Sequence, residues 1–283
     1  MNYLCLIDES GREIKRDSWF MWGGLAVPKD QVHLLHRDIW RIRVKAGYPM
    51  DQPLKWQRPR GKGTGRISSE AHDRAVDHVL VASLNRSAKL FVVLTPAGIT
   101  ATTQKGNRSI QICIADILGI LQRFFLQEQD HGIVLVDNPH GAARMSTVED
   151  VLLSGVPAGI GGSLRKRRFG RITCTGITSV GSSPLMIGID VSIGALNYCL
   201  SCSESSLDRA IELYGRLNRL ISRPGSGPLS NPWGWGIKIR PSSFREVEFY
   251  EFANSGVQRL IGLGEERPRS WHRPQFKVDI QGI

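Results

Sequence analysis

The sequence predicts an α/β protein with a mixed β-sheet, helices on both faces of that sheet and a C-terminal extension. Three observations lead to this class: two apolar segments at hairpin spacing open the chain, apolar strands then alternate with helices, and the last part is rich in Gly, Pro and Ser. With 41% hydrophobic and 22% charged residues, the 283-residue chain has enough apolar material for a packed core.

The first three elements are predicted to be a β-hairpin followed by a helix. Residues 3–7 (YLCLI) and 19–27 (WFMWGGLAV) are short β-prone runs, and Pro28 ends the second. Residues 29–45 then carry apolar side chains at helical spacing. This order favours an antiparallel start to the sheet, with a helix lying against it.

The middle of the chain alternates more regularly. Helices are predicted at residues 68–83, 109–127, 147–153, 184–202 and 205–222, and strands at 90–94, 132–136 and 172–180. The strand at 132–136 (GIVLV) is wholly apolar, which predicts a place in the buried centre of the sheet.

The composition changes after residue 222. Residues 223–236 (RPGSGPLSNPWGWG) are rich in Gly, Pro and Ser. We therefore predict one domain over residues 1–222 and an extension with limited structure of its own over 223–283. Trp233 and Trp235 in the extension could stack on bases or pack on the core, and packing is the commoner outcome for tryptophan.

Several features predict a cytoplasmic protein without membrane association. The N-terminus has carboxylates at positions 8 and 9 instead of a basic region followed by a long apolar stretch, so we expect no secretory signal. The most apolar window, 184–200, is short for a spanning helix and contains Asp190, which favours a buried core helix. Five cysteines, an odd number, predict reduced thiols, with Cys199 and Cys202 buried rather than metal-binding.

The formal charge of +11 comes almost entirely from two segments. Residues 55–66 and 158–172 each hold five cations and no acid, and the other basic residues nearly equal the 26 acids in number. Either segment alone could be a solvated loop, but two such segments indicate a polyanionic partner, DNA or RNA. The predicted nucleic-acid contacts are Arg58, Arg60, Lys62, Arg66, Arg165, Lys166, Arg167, Arg168 and Arg171.

Three aspartates are candidates for one site. Asp8 follows the first apolar strand and Asp137 follows GIVLV, and ligands gather beyond strand ends in sheets of this type. Each alone could be a turn former or a helix cap. Asp190 is the only charged residue in its apolar window, so it needs a partner, and a buried arginine or a metal ion would serve.

Carboxylates that lie together repel one another unless a cation neutralises them. Oxygen ligands without clustered cysteine or histidine indicate Mg²⁺ or Mn²⁺, which also bind phosphate oxygens. Three such acids combined with basic segments therefore point to phosphodiester chemistry.

The motifs also carry a resemblance. The segments YLCLIDESG, GGLAVP, LKW at residues 54–56, GIVLVDN and SSPLMIGIDVSIGA occur in this order over about residues 3–200. The chain thereby resembles the uncharacterised family catalogued as domain of unknown function 3800. This resemblance implies a ribonuclease-H-like fold, metal-dependent nuclease activity and a bacterial mobile-element or phage-defence setting.

The resemblance also assigns roles to residues. It implies that Asp8, Asp137 and Asp190 are the catalytic, metal-binding acids, and Glu9 and Lys55 lie in the same motifs. Because successive strand residues face opposite ways, only one of Asp8 and Glu9 can face the metal if the strand continues, and we favour Asp8.

Two further residues leave alternatives open. Lys55 could contact phosphate or be solvated, and His140 could assist a water or simply be an exposed surface residue.

The chain departs from the family pattern at Ile187 and Ile189, where glutamine and alanine are usual, so the amide of that glutamine is missing.

The sequence thus favours a Mg²⁺- or Mn²⁺-dependent nuclease of low sequence specificity that binds nucleic acid through its basic segments. One alternative is a noncatalytic nucleic-acid-binding protein that kept the fold and the charge. Another is a component of a defence system that binds a protein partner through the C-terminal extension.

Overall fold

The computed structural model describes the chain at residues 2–10, 18–49, 52–58, 67–97, 106–137, 156–158, 165–167, 169–178, 183–224, 232–240, 243–244, 247–263 and 277–278. The strands in these residues are β1 (Tyr3–Ser10), β2 (Trp19–Pro28), β3 (Lys89–Pro96), β4 (Gly132–Asp137), β5 (Val156–Ala158), β6 (Arg165–Arg167), β7 (Ile172–Thr178), β8 (Ile237–Ile239), β9 (Ser243–Phe244) and β10 (Lys277–Val278). The α-helices are α1 (Val32–Lys45), α2 (Ser69–Asn85), α3 (Gly106–Gln127), α4 (Leu185–Ser201), α5 (Leu207–Leu220) and α6 (Val247–Leu263). Two short 3-10 helices, Lys29–Gln31 and Glu204–Ser206, precede α1 and α5.

The main sheet has six strands in the order β7-β4-β1-β2-β3-β8. Strands β1, β2 and β3 pair antiparallel, whereas β4 is parallel to β1, β7 to β4 and β8 to β3. The predicted α/β class with a mixed sheet is therefore confirmed. Strands β9 and β10 form one small sheet, and β5 and β6 form another.

Strand β1 is longer than the predicted run at residues 3–7. It continues to Ser10 because its last residues pair with β2, Asp8 with Gly23 and Ser10 with Met21. Cross-strand hydrogen bonding thus extends the strand beyond its apolar part. The first carboxylates of the chain consequently lie inside the sheet instead of in a turn after it.

Two apolar cores lie on opposite faces of the sheet. Alternate residues of β1 enter different cores, so Leu6 packs against α4 and the helices beside it, and Cys5 and Ile7 pack against α3. Helices α1, α2, α4, α5 and α6 contribute to the first core. The expected placement of helices on both faces therefore holds in the described residues.

Helix α4 lies directly on the hairpin. A Cβ added at Gly23 of β2 would lie 2.1 Å from Cγ2 of Ile193, so the absence of a side chain at Gly23 allows the helix to approach. Gly188 of α4 is also close to β2, though less tightly, with 3.1 Å between an added Cβ and Cδ2 of Leu25. This close approach brings the middle of α4 over the strand that pairs with Asp8.

The apolar strand β4 is internal to the sheet, between β7 and β1, as its sequence predicts. It is not fully buried, however, because its residues alternate between buried and half-buried positions. Among the strands whose burial is described at every residue, β2 is the most deeply buried, because every residue but Pro28 is buried.

The part of the chain beyond residue 222 contacts the main sheet. Strand β8 pairs with β3, and α6 packs against α4 and α5. Asp116 of α3 binds Lys238, with 2.5 Å between Oδ1 and Nζ, and also binds the guanidinium of Arg240. The proposed division into domains at residue 222 stays a prediction.

The remaining predictions concern the other helices and strands, the cysteines and membrane-spanning segments. The helix at 147–153 lies outside the described residues, and the remaining helices and strands agree with their predicted positions within a few residues. Cys5, Cys113, Cys199 and Cys202 are free, buried thiols. Within the described part of the chain, none of the helices has the length and apolarity needed to cross a membrane.

Candidate functional site

The ends of β1 and β4 bring Asp8 and Asp137 to adjacent positions. The two strands are parallel and pair Ile7 with Val136, so the next residue on each strand is an aspartate. Both aspartates share the face of Leu6 and Leu135, which pack on the core that contains α4. Parallel pairing of two distant segments thus places both carboxylates at one edge of the sheet.

Asp190 lies in the second turn of α4, the helix that packs on the face of the sheet shared by Asp8 and Asp137. The negative charges of Asp190 and Asp137 both act on Asp8, which is 5% exposed. Burial, followed by repulsion from Asp190 and Asp137, raises the pKa of Asp8 to about 8. The three acids that the sequence singled out are therefore electrostatic neighbours.

Glu9 occupies the other face of the strand. Since β1 continues through this position, Glu9 has the orientation of Cys5 and Ile7, toward α3, while Asp8 faces α4. The backbone N–H of Glu9 donates a hydrogen bond to Oδ1 of Asp8 at 2.7 Å. Strand geometry thus favours Asp8 over Glu9 as the acid of this site, the choice that the sequence suggested.

Asp190 is bound by the LKW segment. The backbone N–H of Trp56 donates to Oδ2 of Asp190 at 2.6 Å, and Lys55 contributes a nearby positive charge. Burial raises the pKa of Asp190 in spite of these two contacts, and Asp137 adds to the rise. Among the described residues, no arginine pairs with Asp190, so the salt-bridge alternative finds no partner there.

The LKW segment has little regular secondary structure and is held by its side chains. Leu54 is buried in the core, and the indole of Trp56 packs where Gly194 leaves room, since an added Cβ there would lie 2.1 Å from Cγ of Trp56. The ring of Tyr198 lies 5.8 Å from that of Trp56, measured between centroids. Helix α4 thus carries both the carboxylate and the surface that receives Trp56.

Two residues of this region were missed by the sequence reasoning. His72 and Tyr48 are buried, and Nε2 of His72 lies 3.0 Å from the carbonyl oxygen of Trp56. The available signal was the position of His72 on α2, three and four residues before Ala75 and Val76, where helical spacing predicts an apolar side chain. A polar residue on a core face needs a hydrogen-bond partner, and here Trp56 is one.

The donor set fits a hard divalent cation in chemistry. The three aspartates offer only oxygen ligands, and a cation between them would offset the repulsion that raises the pKa of Asp8. In the part of the chain that the structure describes, no group of three or more His, Cys, Asp and Glu side chains has the spacing of a metal site. The aspartates would therefore have to move closer together, or use water, to share an ion.

The first basic segment is described only at its start. Lys55 is exposed, and Arg58 donates a hydrogen bond to Oγ of Ser69 at 2.9 Å, at the first turn of α2. The remaining members of this segment, Arg60, Lys62 and Arg66, lie outside the described residues.

The second basic segment includes a strand. Arg165, Lys166 and Arg167 form β6, which pairs antiparallel with β5. Arg171 is half-buried and its backbone N–H donates to Oε1 of Gln122 at 2.9 Å. The position of Arg168 lies outside the described residues, as does that of His140.

Trp233 and Trp235, which lie in the part of the chain beyond residue 222, contact other residues of the protein. Trp233 packs against the core that contains α4. The guanidinium of Arg123 lies 5.4 Å from the ring centroid of Trp235 and also donates to the carbonyl of Gly234 at 2.6 Å. Each ring therefore has at least one contact within the protein.

Comparisons of this chain with models of protein families, with curated proteins and with solved structures find no match. The resemblance inferred from the motifs therefore stays a prediction. The features that bear on function are the geometry of the three aspartates and the distribution of charge.

Proposed function

We propose that the protein is a Mg²⁺- or Mn²⁺-dependent nuclease that hydrolyses nucleic-acid phosphodiester bonds. The observation that carries this proposal is the convergence of Asp8, Asp137 and Asp190 from two parallel strands and one helix. A buried carboxylate that two neighbouring acids repel is costly to a metal-free fold, and a site for a divalent cation gives a reason for this arrangement.

The residues of the site have separate tasks in this proposal. Asp8 and Asp137 would hold the cation from the sheet, and Asp190 would complete the site from α4. A bound cation supplies an activated water and stabilises the leaving oxygen. Lys55, whose charge already acts on Asp190, would contact the phosphate of the substrate in this proposal.

The proposed fold type agrees with the strand order. Three antiparallel strands, β1 to β3, are extended beyond β1 by the parallel strands β4 and β7. We propose that this sheet is ribonuclease-H-like, as the motifs imply. Fold alone does not determine activity, so the nuclease proposal depends on the aspartates.

Cleavage of labelled single- and double-stranded DNA and RNA with Mg²⁺, with Mn²⁺ and with chelator tests the proposal. We expect cleavage only with metal, and its loss in Asp8→Asn and Asp137→Asn. The exposed Asp30 lies beyond the opposite end of the hairpin, and Asp30→Asn is the matched control that should retain activity. Metal-dependent cleavage that persists in both site variants, after removal of contaminating nucleases, would overturn the assignment.

A noncatalytic nucleic-acid-binding protein is a second candidate. It is favoured by Ile187, where the resembled family has an amide. This candidate binds the same labelled nucleic acids without cleaving them under any metal condition. Binding and cleavage measured on the same preparation separate the two.

A further inference from the structure

A chain of hydrogen bonds leads from the core to Asp190. The hydroxyl of Tyr48 lies 2.6 Å from Nδ1 of His72, and Nε2 of the same ring lies 3.0 Å from the carbonyl oxygen of Trp56. The N–H of Trp56 then donates to Asp190 at 2.6 Å. Both backbone polar groups of Trp56 are therefore held, one by His72 and the other by the candidate site.

The chemistry of these groups assigns the donors. A carbonyl oxygen can only accept, so Nε2 of His72 carries a hydrogen and donates to Trp56. In a neutral ring Nδ1 then accepts, and the hydroxyl of Tyr48 is its donor. Since both His72 and Tyr48 are about 5% exposed, these bonds satisfy polar groups that water does not reach.

The segment that contains Trp56 is held mainly by the packing of Leu54 and of the Trp56 indole, and it has few backbone hydrogen bonds. Residues 52–58 lack a regular strand or helix, and Arg43 anchors their beginning through the carbonyls of Pro49 and Gln52. Further along, the bond from His72 is the contact that fixes the carbonyl of Trp56.

We infer that His72, oriented by Tyr48, is a positioning residue that holds the Trp56 backbone against Asp190 and thereby orients the Asp190 carboxylate. The effect on metal binding and cleavage rests on the proposed function, whereas the effect on Trp56 does not. Lys55 precedes Trp56 in the chain. The hydrogen bond from His72 to Trp56 therefore also helps to keep the positive charge of Lys55 near Asp190.

Two variants of His72 separate positioning from a role in packing alone. In His72→Gln, the side-chain amide nitrogen can reach the place of Nε2 and still donate to Trp56. In His72→Asn, the shorter amide reaches only the place of Nδ1, so the bond to Trp56 is lost. Both variants remove the buried ring. Tyr48→Phe is a milder third variant that removes only the hydroxyl.

Hydrogen exchange of tryptophan amides, followed by NMR on protein labelled with ¹⁵N-tryptophan, is the direct measurement. We expect exchange at Trp56 to accelerate by about tenfold or more in His72→Asn, to stay near the wild-type rate in His72→Gln and to rise modestly in Tyr48→Phe. Trp22, in the centre of the sheet, is the internal control and should not change. Unchanged exchange at Trp56 in His72→Asn, or equal acceleration at Trp22, would overturn the inference.

The consequence for the site is tested by the rise in Tm that Mn²⁺ produces. This rise should shrink in His72→Asn, recover in His72→Gln and show no dependence on His72 when Asp190→Asn is also present. If Trp56 responds but Mn²⁺ has no effect on the wild type, the positioning of Trp56 stands and the metal-dependent function fails. If Mn²⁺ stabilises the wild type and His72→Asn equally, the role of His72 at the site is refuted.

Discussion

The carboxyl group of Asp8 is enclosed by the hairpin and α4, and its surroundings disfavour the ionised form. Its pKa is about 8 in the folded protein, against an ordinary value of 3.8. Between these values the unfolded chain has released the proton while the folded chain retains it, so a rise in pH favours unfolding. This group therefore weakens the metal-free protein progressively from about pH 4 to about pH 8.

Asp8→Asn should remove that pH dependence. The amide oxygen can still accept the bond from the N–H of Glu9, and no charge develops as the pH rises. We expect the variant, in chelator, to be more stable than the wild type at pH 8 by at least about 1 kcal/mol, since one unit of pKa is worth about 1.4 kcal/mol. Urea unfolding at pH 5 and pH 8 measures this, with Asp30→Asn as the control. A variant that is less stable at both pH values contradicts the account.

Gly194 is a second residue whose effect can be predicted. An added methyl group would overlap the indole of Trp56, so Gly194→Ala should displace the LKW segment and cost about 1 to 3 kcal/mol. Gly215 of α5 is the matched control, because nothing lies within 4 Å of an added Cβ there. Gly215→Ala should stabilise by about 0.5 to 1 kcal/mol. Thermal melts of both variants make the comparison, and a neutral Gly194→Ala would show that Trp56 can move without penalty.

At the scale of elements, an ion-pair cluster connects α3 to β8. Asp116 on α3 is buried and binds both Lys238 and Arg240, so one carboxylate is shared between two cations. Burial lowers the pKa of Lys238, although Asp116 opposes this effect. The cluster helps to attach an edge strand that shares only three paired positions with β3.

Asp116→Ala should therefore loosen β8. It leaves two partly buried cations without their acid, and we expect a loss of about 2 to 3 kcal/mol, which is less than for a fully buried pair because water screens the cations. The half-buried pair of Asp38 and Arg86 is the control, because the Asp38 carboxylate is 23% exposed against 10% for Asp116, and Asp38→Ala should cost at most about 1 kcal/mol. Hydrogen exchange of the β8 amides, combined with urea unfolding, checks both expectations. Equal losses in the two variants would argue against a special role for the cluster.

The strand β6 and the residue after it supply the second element-scale prediction. Neutralising Arg165, Lys166, Arg167 and Arg168 to glutamine should weaken nucleic-acid binding for all sequences. Each lost phosphate contact should also reduce the slope of log affinity against log salt by about 0.7 to 0.9. Fluorescence anisotropy from 50 to 300 mM NaCl measures the slope. If affinity falls while the slope is unchanged, these residues act on the fold and not on phosphate.

At the scale of the whole molecule, the question is whether metal binding stabilises the fold. A site of three acids destabilises the metal-free protein and is relieved by a cation, so Mn²⁺ should raise the stability of the wild type by about 2.7 kcal/mol at a hundred times its dissociation constant.

Asp190→Asn tests this coupling. The amide oxygen can still accept from Trp56, so the metal-free variant should be as stable as the wild type or more stable, while its gain from Mn²⁺ should fall. Thermal melts of the wild type and of Asp190→Asn, each with chelator and with Mn²⁺, give the four Tm values to compare. A drop of about 3 to 5 kcal/mol that does not depend on metal would indicate an ion pair with arginine instead.

Local pattern was sufficient for the α/β class and for most of the described helices and strands. These features depend on the periodicity of neighbouring residues, which the sequence contains directly. The length of β1 was underestimated because its last three residues are held in the strand by pairing with β2 and not by their own β-propensity.

The composition of the site was decided by tertiary structure. Asp8 and Asp137 become neighbours through the parallel pairing of β1 with β4, and Asp190 meets Trp56 through the packing of the LKW segment on α4. His72 enters the same network from a third element. Such contacts join residues far apart in the chain, and they follow from strand register and close packing, which local propensity does not encode. The sequence by itself therefore determined which residues could carry chemistry, and the fold decided which of them meet.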